Sequence, residues 1–403
     1  MTVVHLFWVI VASTLAAFSL GRVTVLRRAE ATGQPLACLP NYYGYLASWI
    51  VAVPALLILV ISIAIAPLIN LPTLAGYTVF ALVTGLFVWA WWIIRPGLDA
   101  RQLVERCVTL GLGFCSFIAV LTTFSIILSL VFESLQFFQF VSPIEFVTGL
   151  KWSPLTAIRD DQFGQTGAFG ALPVFTGTLL ITVIALLIAA PLGLMTAIYM
   201  SEFSSRRTRN FLKPTIEVLA AVPAIVYGYF ALLIVGPTLT NWFGHIGLDV
   251  PSQSALSAGC VLGIMIVPYI SSLSDDVISS VPQSLRDGSY ALGATRAETL
   301  LGVVLPKASP GLFAAFLLAT SRAIGETMIV VLAAGHIARL TGNPLDAVTT
   351  VTDQIVTLLI GDVEFDSPKT LAAFALALVL FLITLILNLI ALRVVGRYKE
   401  DAA

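Results

Sequence analysis

Nine apolar runs, each long enough to cross a bilayer as a helix of about 20 residues, dominate this 403-residue chain. They fall at about 2–20, 45–69, 72–94, 103–132, 173–200, 216–240, 254–273, 311–335 and 370–392. Charged residues make up only 11% of the chain, against about 25% in an ordinary soluble domain. The expected fold class is therefore an all-α polytopic membrane protein.

Threading the nine runs back and forth puts sixteen of the 21 Lys and Arg residues on one side, among them Arg22, Arg27, Arg28, Arg206, Arg207, Arg209 and Lys213. Positive residues accumulate on the cytoplasmic side. The loop 274–310 and the tail 396–403 are thus expected in the cytoplasm, and the N-terminus outside. Three arginines follow the first run and no basic residue opens it, the reverse of a cleaved signal peptide, so it is expected to remain as a span.

Composition also divides the chain. Arg95-Pro96-Gly97 is a basic, helix-breaking junction, so residues 1–98 read as an N-terminal extension of about three helices and 99–395 as the main body. The stretch 99–107 is polar, with Arg101 and Glu105 at i,i+4 spacing, and is expected at the membrane interface. Two long loops, 133–172 and 336–369, fall on the outer side. In the second, the apolar patch 355–360 is too short to span and reads as a surface or re-entrant helix.

A net charge of −1 argues against nucleic acid as a partner. Cys38, Cys107, Cys115 and Cys260 are scattered without a CxxC pair and read as structural thiols. His5, His245 and His336 are too dispersed to suggest a ligand set, so neither a metal nor a cofactor is expected. No His stands at a suggestive spacing from a Ser or Cys, and the chain carries no Gly-x-x-x-x-Gly-Lys-Ser/Thr phosphate loop; it is not expected to be an enzyme.

The polar segment 287–306, DGSYALGATRAETLLGVVLP, interrupts two apolar runs. Ser280 with Gln283, and Thr295 with Glu298, have capping-box spacing. Pro282 suits a first helical turn, and Pro306 is expected to close a second short helix. Two short helices joined at Gly293 are therefore expected.

Asp287-Gly288-Ser289, Gly293 and Val303-Val304-Leu305-Pro306 resemble the "EAA" motif of ATP-binding-cassette importer permeases, in which Glu-Ala-Ala, Gly and Ile-x-Leu-Pro stand at this spacing. The departure is at the first three positions, where Gly288 weakens a helix by up to ~1 kcal/mol relative to Ala. The resemblance implies a coupling helix that docks on a separate ABC ATPase chain, through Asp287, Gly288, Ser289, Gly293, Leu305 and Pro306. It also implies a six-helix permease core, which the last six runs match, with three extra transmembrane helices before it.

The second informative stretch is Ser321-Arg322-Ala323-Ile324-Gly325-Glu326-Thr327, midway along the eighth run. An Arg at the bilayer centre costs on the order of 2.5–3.5 kcal/mol on insertion scales, so it is expected to face a bundle interior or a wet cavity. Arg322 and Glu326, four apart, are expected to pair on one helix face, and Gly325 to let another helix approach. One reading is a salt-bridge clip between helices. The other is a planar donor fork offered to an oxyanion, with Glu326 exchanging partners as the anion passes.

Arg322-Ala323-Ile324-Gly325-Glu326-Thr327-Met328 is similar to the motif of phosphate-importer permeases, PstC type, as are Val222-Pro223-Ala224-Ile225-Val226-Tyr227-Gly228 and Phe169-Gly170-Ala171-Leu172-Pro173. This resemblance spans about residues 100–395. It implies a role for Arg322 and Glu326 in phosphate passage, with Ser321 and Thr327 flanking them in the pathway. It further implies the bacterial inner membrane, a second homologous permease (PstA-like), an ABC ATPase dimer and a periplasmic phosphate-binding protein. Alternatives are a permease for molybdate, tungstate or sulfate, and a stand-alone secondary transporter, which would be expected to show internal repeats and several intramembrane acids.

Overall fold

The computed structural model describes residues 3–65, 84–154, 167–360 and 367–400. Among these, seven helices are long and apolar enough to cross a membrane. The chain is a multi-pass, almost wholly helical protein that divides into two compact units, Met1–Ser125 and Ile126–Ala403. Most of the expected run 72–94, the end of the run 45–69, and the acidic pair Asp160-Asp161 lie outside the described residues.

The first unit holds α1 (Val3–Thr32), α2 (Pro40–Ile65), α3 (Thr84–Ile93) and the start of α4 (Ala100–Phe140). α1 runs about three turns past the expected end of the first run, because Arg22, Arg27 and Arg28 are good helix formers whose charges reach outward from its end. The Arg95-Pro96-Gly97 junction is a tight stop, as its composition requires. It is pinned by the buried Tyr43, whose hydroxyl lies 2.8 Å from both the Pro96 and Leu98 carbonyl oxygens, and by Arg28, which donates to the Ile94 carbonyl and stacks over Trp91. The stretch expected at the interface is the first two turns of α4, where Arg101 Nε donates to Glu105 at 2.7 Å.

The second unit is organised around α6 (Leu172–Ile198) and α10 (Ala255–Ser279). Hydrocarbon supplies no hydrophobic drive between two helices, so they hold by close packing of small residues. A Cβ on Gly259 would stand 2.7 Å from Ile184, and one on Gly193 2.7 Å from Ile270; only hydrogen at those places lets the two backbones come together. Ile181, Ala185, Ala189, Ala258, Leu262 and Ile266 fill the seam. Between α4 and α6, Phe137 at the end of α4, Phe146 on the short α5 (Pro143–Thr148), Trp152 and Phe169 form an edge-to-face cluster over a two-stranded ribbon, β1 (Trp152–Ser153) and β2 (Ala168–Phe169), with Trp152 opposite Phe169.

Helix ends differ from the sequence expectation where the chain breaks or bypasses a proline. The run 216–240 is two elements: amphipathic α7 (Arg206–Ala221) stops at Val222-Pro223, and α8 (Ala224–Phe230) begins a new span that continues through α9 (Gly236–Gly244). The residue before a proline avoids helical backbone, and Val222 is extended at φ −67, ψ 128. Pro306, expected to close a helix, does not. α12 (Arg296–Thr299), a π-helical turn at Leu300–Val304 and α13 (Leu305–Ile324) form one continuous span. The widened turn, in which Leu305 N–H reaches back to the Leu300 carbonyl, makes room for a ring that lacks a donor.

Candidate functional site

Two polar places among the described residues correspond to the stretches that the sequence singles out. The first is the segment between α10 and α13. Its opening cap differs from expectation: Ser280 ends α10 with its hydroxyl on the Val277 carbonyl at 2.7 Å, and Pro282 is the N-cap of α11 (Gln283–Ala291). Gln283 instead donates to Asp287 at 3.1 Å along the exposed face. The second cap is a capping box. Thr295 N–H and Oγ1 each lie 2.7 Å from Glu298 Oε2. Between the helices Gly293 has φ +89, a left-handed conformation that favours glycine, and Leu292 beside it is 91% exposed.

This hairpin is closed by one side-chain bond and fastened to neighbouring helices by another side chain. Ser289 Oγ lies 2.8 Å from Thr299 Oγ1, joining its two arms. Arg286 is buried; its Nη2 donates to Glu202 Oε1 and to the Ile278 carbonyl, both at 2.8 Å. Glu202 lies in the π-helical turn Tyr199–Phe203 at the end of α6. Sequence reasoning missed this clip, since its partners stand 84 residues apart. Gly288 is open, and Leu305 and Pro306 begin α13, so the second arm of the hairpin continues into the span as unbroken helix.

The second place is the break in the eighth run. α13 stops at Ile324, residues 325–327 are non-helical, and α14 (Met328–Ala333) restarts. Arg322 and Glu326 therefore do not share a helix face, and no ion pair joins them among the described residues. The Glu326 carboxylate turns instead to accept Met328 N–H at 3.2 Å, and the Arg322 guanidinium lies 5.2 Å above the Tyr269 ring. Gly325 meets nothing beyond its own helix end, so it does not serve the close helix approach expected of it. Thr327 caps locally, its hydroxyl on the Gly325 carbonyl at 3.3 Å, and Ser321 is half-buried in the last turn of α13.

Arg322 and Glu326 nevertheless open into one cavity of about 460 Å³. Its other polar residues are Glu217 from α7, with Tyr269 and Ser272 from α10. Val222 and Ala224 line it too, so both helix breaks, at Val222-Pro223 and at 325–327, border the same space. Ser321 and Thr327 stand next to the cavity rather than on its wall. The chamber brings one guanidinium fork and two carboxylates together among apolar walls. Sequence reasoning missed Glu217, which stands at the edge of the run 216–240 and enters the chamber only because α7 ends at Val222-Pro223. Tyr269 and Ser272 gave no signal.

A multi-span helical protein with a charged chamber at a helix break, and a hairpin mounted on its spans, is built as a membrane transport component. The profile described as binding-protein-dependent transport system inner membrane component matches residues 189–400, and one described as phosphate ATP-binding cassette transporter matches 6–78. The chain is 35% identical over 301 residues to the probable ABC transporter permease protein YqgH of Bacillus subtilis, covering 74% of this chain and 93% of the relative. It is 30% identical over 322 residues to the phosphate transport system permease protein PstC of Pasteurella multocida, covering 74% and 94%. Among solved structures, a bacterial ABC transporter involved in the import of alginate aligns with a TM-score of 0.46 and 16% identity over 72% of this chain and 99% of that one. The chain belongs to the family of binding-protein-dependent transport system inner membrane components.

Proposed function

We propose that this chain is the pathway subunit of an ATP-driven importer of inorganic phosphate, and that Arg322 and Glu326, with Ser321 and Thr327 beside them, form its passage. The observation that carries the reading is the chamber at the helix break, where the Arg322 fork rests on an aromatic face instead of on Glu326 and so is available to an oxyanion. The names of relatives such as the Pasteurella multocida PstC support phosphate as that anion. Glu326 and Glu217 then compete for Arg322 and let the anion leave. Residues 1–98 are an added helical unit and 99–395 the permease core, with the N-terminus outside, the C-terminus in the cytoplasm and the chain in the bacterial inner membrane.

In the assembly we propose, a PstA-like permease completes the pathway, two ABC ATPases sit below and a periplasmic phosphate-binding protein above. The hairpin through Asp287, Gly288, Ser289, Gly293, Leu305 and Pro306 meets an ATPase, with Leu292 at its tip. ATP is hydrolysed by those chains, and closure of their dimer is transmitted through α11 to α13. Labelled-phosphate uptake by cells expressing the complete complex tests the substrate: it is expected to be indifferent to excess molybdate or sulfate. Uptake blocked by either would move the substrate to another oxyanion.

The hairpin makes a separate test. No atom beyond its chain neighbours lies within 4 Å of a Cβ built on Gly293, so Gly293→Val meets no clash and acts through backbone strain alone, about 1–3 kcal/mol at φ +89. We expect weaker recovery of the ATPase in pull-down from membranes, with the permease pair intact. Wild-type recovery would separate Gly293 from coupling.

A further inference from the structure

Past the break at 325–327 lies α15 (Val351–Leu359), a short helix where the apolar patch 355–360 was expected to form a surface or re-entrant one, and it is anchored through polar groups. Thr349, Thr350, Thr352, Asp353 and Gln354 are all at most 7% exposed. Burying five polar side chains in so short a stretch is costly unless each is bonded. Each is. Asp353 accepts Thr349 Oγ1 at 2.6 Å and lies 2.8 Å from His336 Nδ1. Gln354 donates to Thr349 Oγ1 at 2.9 Å and accepts Trp152 Nε1 at 2.7 Å. Thr178 of α6 accepts Val351 N–H at 3.0 Å, and Thr350 caps Asp353 N–H at 3.2 Å. His336 has φ 57, a left-handed conformation that costs a non-glycine residue roughly 1–2 kcal/mol, so its place against Asp353 is enforced by its surroundings.

One bond leaves this mount toward the chamber. Thr352 Oγ1 donates to the Glu326 carbonyl oxygen at 2.8 Å, and Glu326 belongs to neither α13 nor α14. We propose that Thr352 is a positioning residue for transport: it fixes the backbone of the break, and with it the direction in which Glu326 presents its carboxylate to the chamber shared with Arg322. This rests on the reading that Arg322 and Glu326 carry the anion. The mount has no slack, because α15 is bonded to α6, to β1 and to the His336 loop at once.

The test uses the complete transporter in proteoliposomes with its loaded binding protein. Thr352→Val keeps the shape and removes the donor; Thr352→Ser keeps the donor. Loss of one hydrogen bond of ordinary strength is expected to lower the maximal uptake rate roughly five- to ten-fold, with the binding-protein concentration at half-maximal rate unchanged and the Ser variant close to wild type. Wild-type rates for Thr352→Val, or equal losses for Val and Ser, would overturn the proposal. If the Val variant fails to assemble, Thr352→Cys, with a weaker donor of similar size, is expected to give an intermediate rate, and a wild-type rate there overturns it equally. Arg322→Gln is run alongside. A dead Arg322→Gln with a normal Thr352→Val defeats only the positioning role, whereas a normal Arg322→Gln defeats the pathway reading beneath it.

Discussion

Replacing Arg322 by Gln is expected to lower phosphate uptake by roughly 10- to 150-fold in an assembled complex, the equivalent of the ~1.5–3 kcal/mol that a hydrogen bond to a charged group contributes. The argument begins with what Arg322 does in the empty chamber. It has no carboxylate partner among the described residues and rests over Tyr269, 5.2 Å from the ring centroid. A cation held by an aromatic face keeps its five N–H donors free for an oxyanion, and leaves the ring without breaking an ion pair. Arg322→Lys keeps the charge and loses the fork, so an intermediate rate is expected. Uptake is measured with labelled phosphate, and assembly by co-purification of the partner permease and the ATPases. Undiminished uptake in Arg322→Gln would leave this residue as a packing cation on Tyr269. A complex that fails to form would instead assign Arg322 to assembly.

The second large effect is expected at Arg286, inside the hairpin between α10 and α13 and away from the chamber. Arg286 and Glu202 are nearly buried, with side chains 9% and 10% exposed. Truncating Arg286 to Ala leaves the Glu202 carboxylate in a dry site and strands the Ile278 and Val281 carbonyls to which Arg286 also donates. Breaking a buried pair in this way costs about 3–5 kcal/mol, whereas replacing both partners with apolar residues is often near neutral. Arg286→Ala is therefore expected to detach the hairpin from the end of α6 and to abolish ATP-dependent uptake. Arg286→Met with Glu202→Leu should recover a substantial part of the lost thermal stability. Thermal unfolding of the purified complex, beside ATPase recovery in pull-down, checks both. Equal stability of Arg286→Ala and wild type would show that the hairpin is held by other contacts.

In the mechanism proposed above, these two sites link a movement of the hairpin to the chamber. The hairpin is tied to α6 by Arg286 and runs without interruption through α12 and the π-helical turn into α13, whose last turn carries Arg322. The same helix therefore has the docking hairpin at one end and the guanidinium at the other. A break at Gly325 then confines the rigid lever to the side of the hairpin, and α15 holds what lies past it.

The chain's sequence alone determined the features set by a few neighbouring residues or by sheer length. Seven of the nine apolar runs overlap described helices long and apolar enough to span, because the bilayer fixes how long a helix must be. The Thr295–Glu298 cap and the Gly293 turn were legible because a capping box and a left-handed turn are decided within four residues. Arg322 and Glu326 were legible as charges where charge is expensive. The tertiary structure alone decided what those charges touch. The Glu326 carbonyl finds its donor on Thr352, 26 residues on. Arg322 finds Tyr269 on another helix, Glu217 joins the chamber because α7 ends at Val222-Pro223, and Arg286 reaches back 84 residues to Glu202. The ladder of an α-helix supplies partners only three or four residues away; once the chain breaks that ladder at 325–327, every remaining partner is chosen by how distant helices pack.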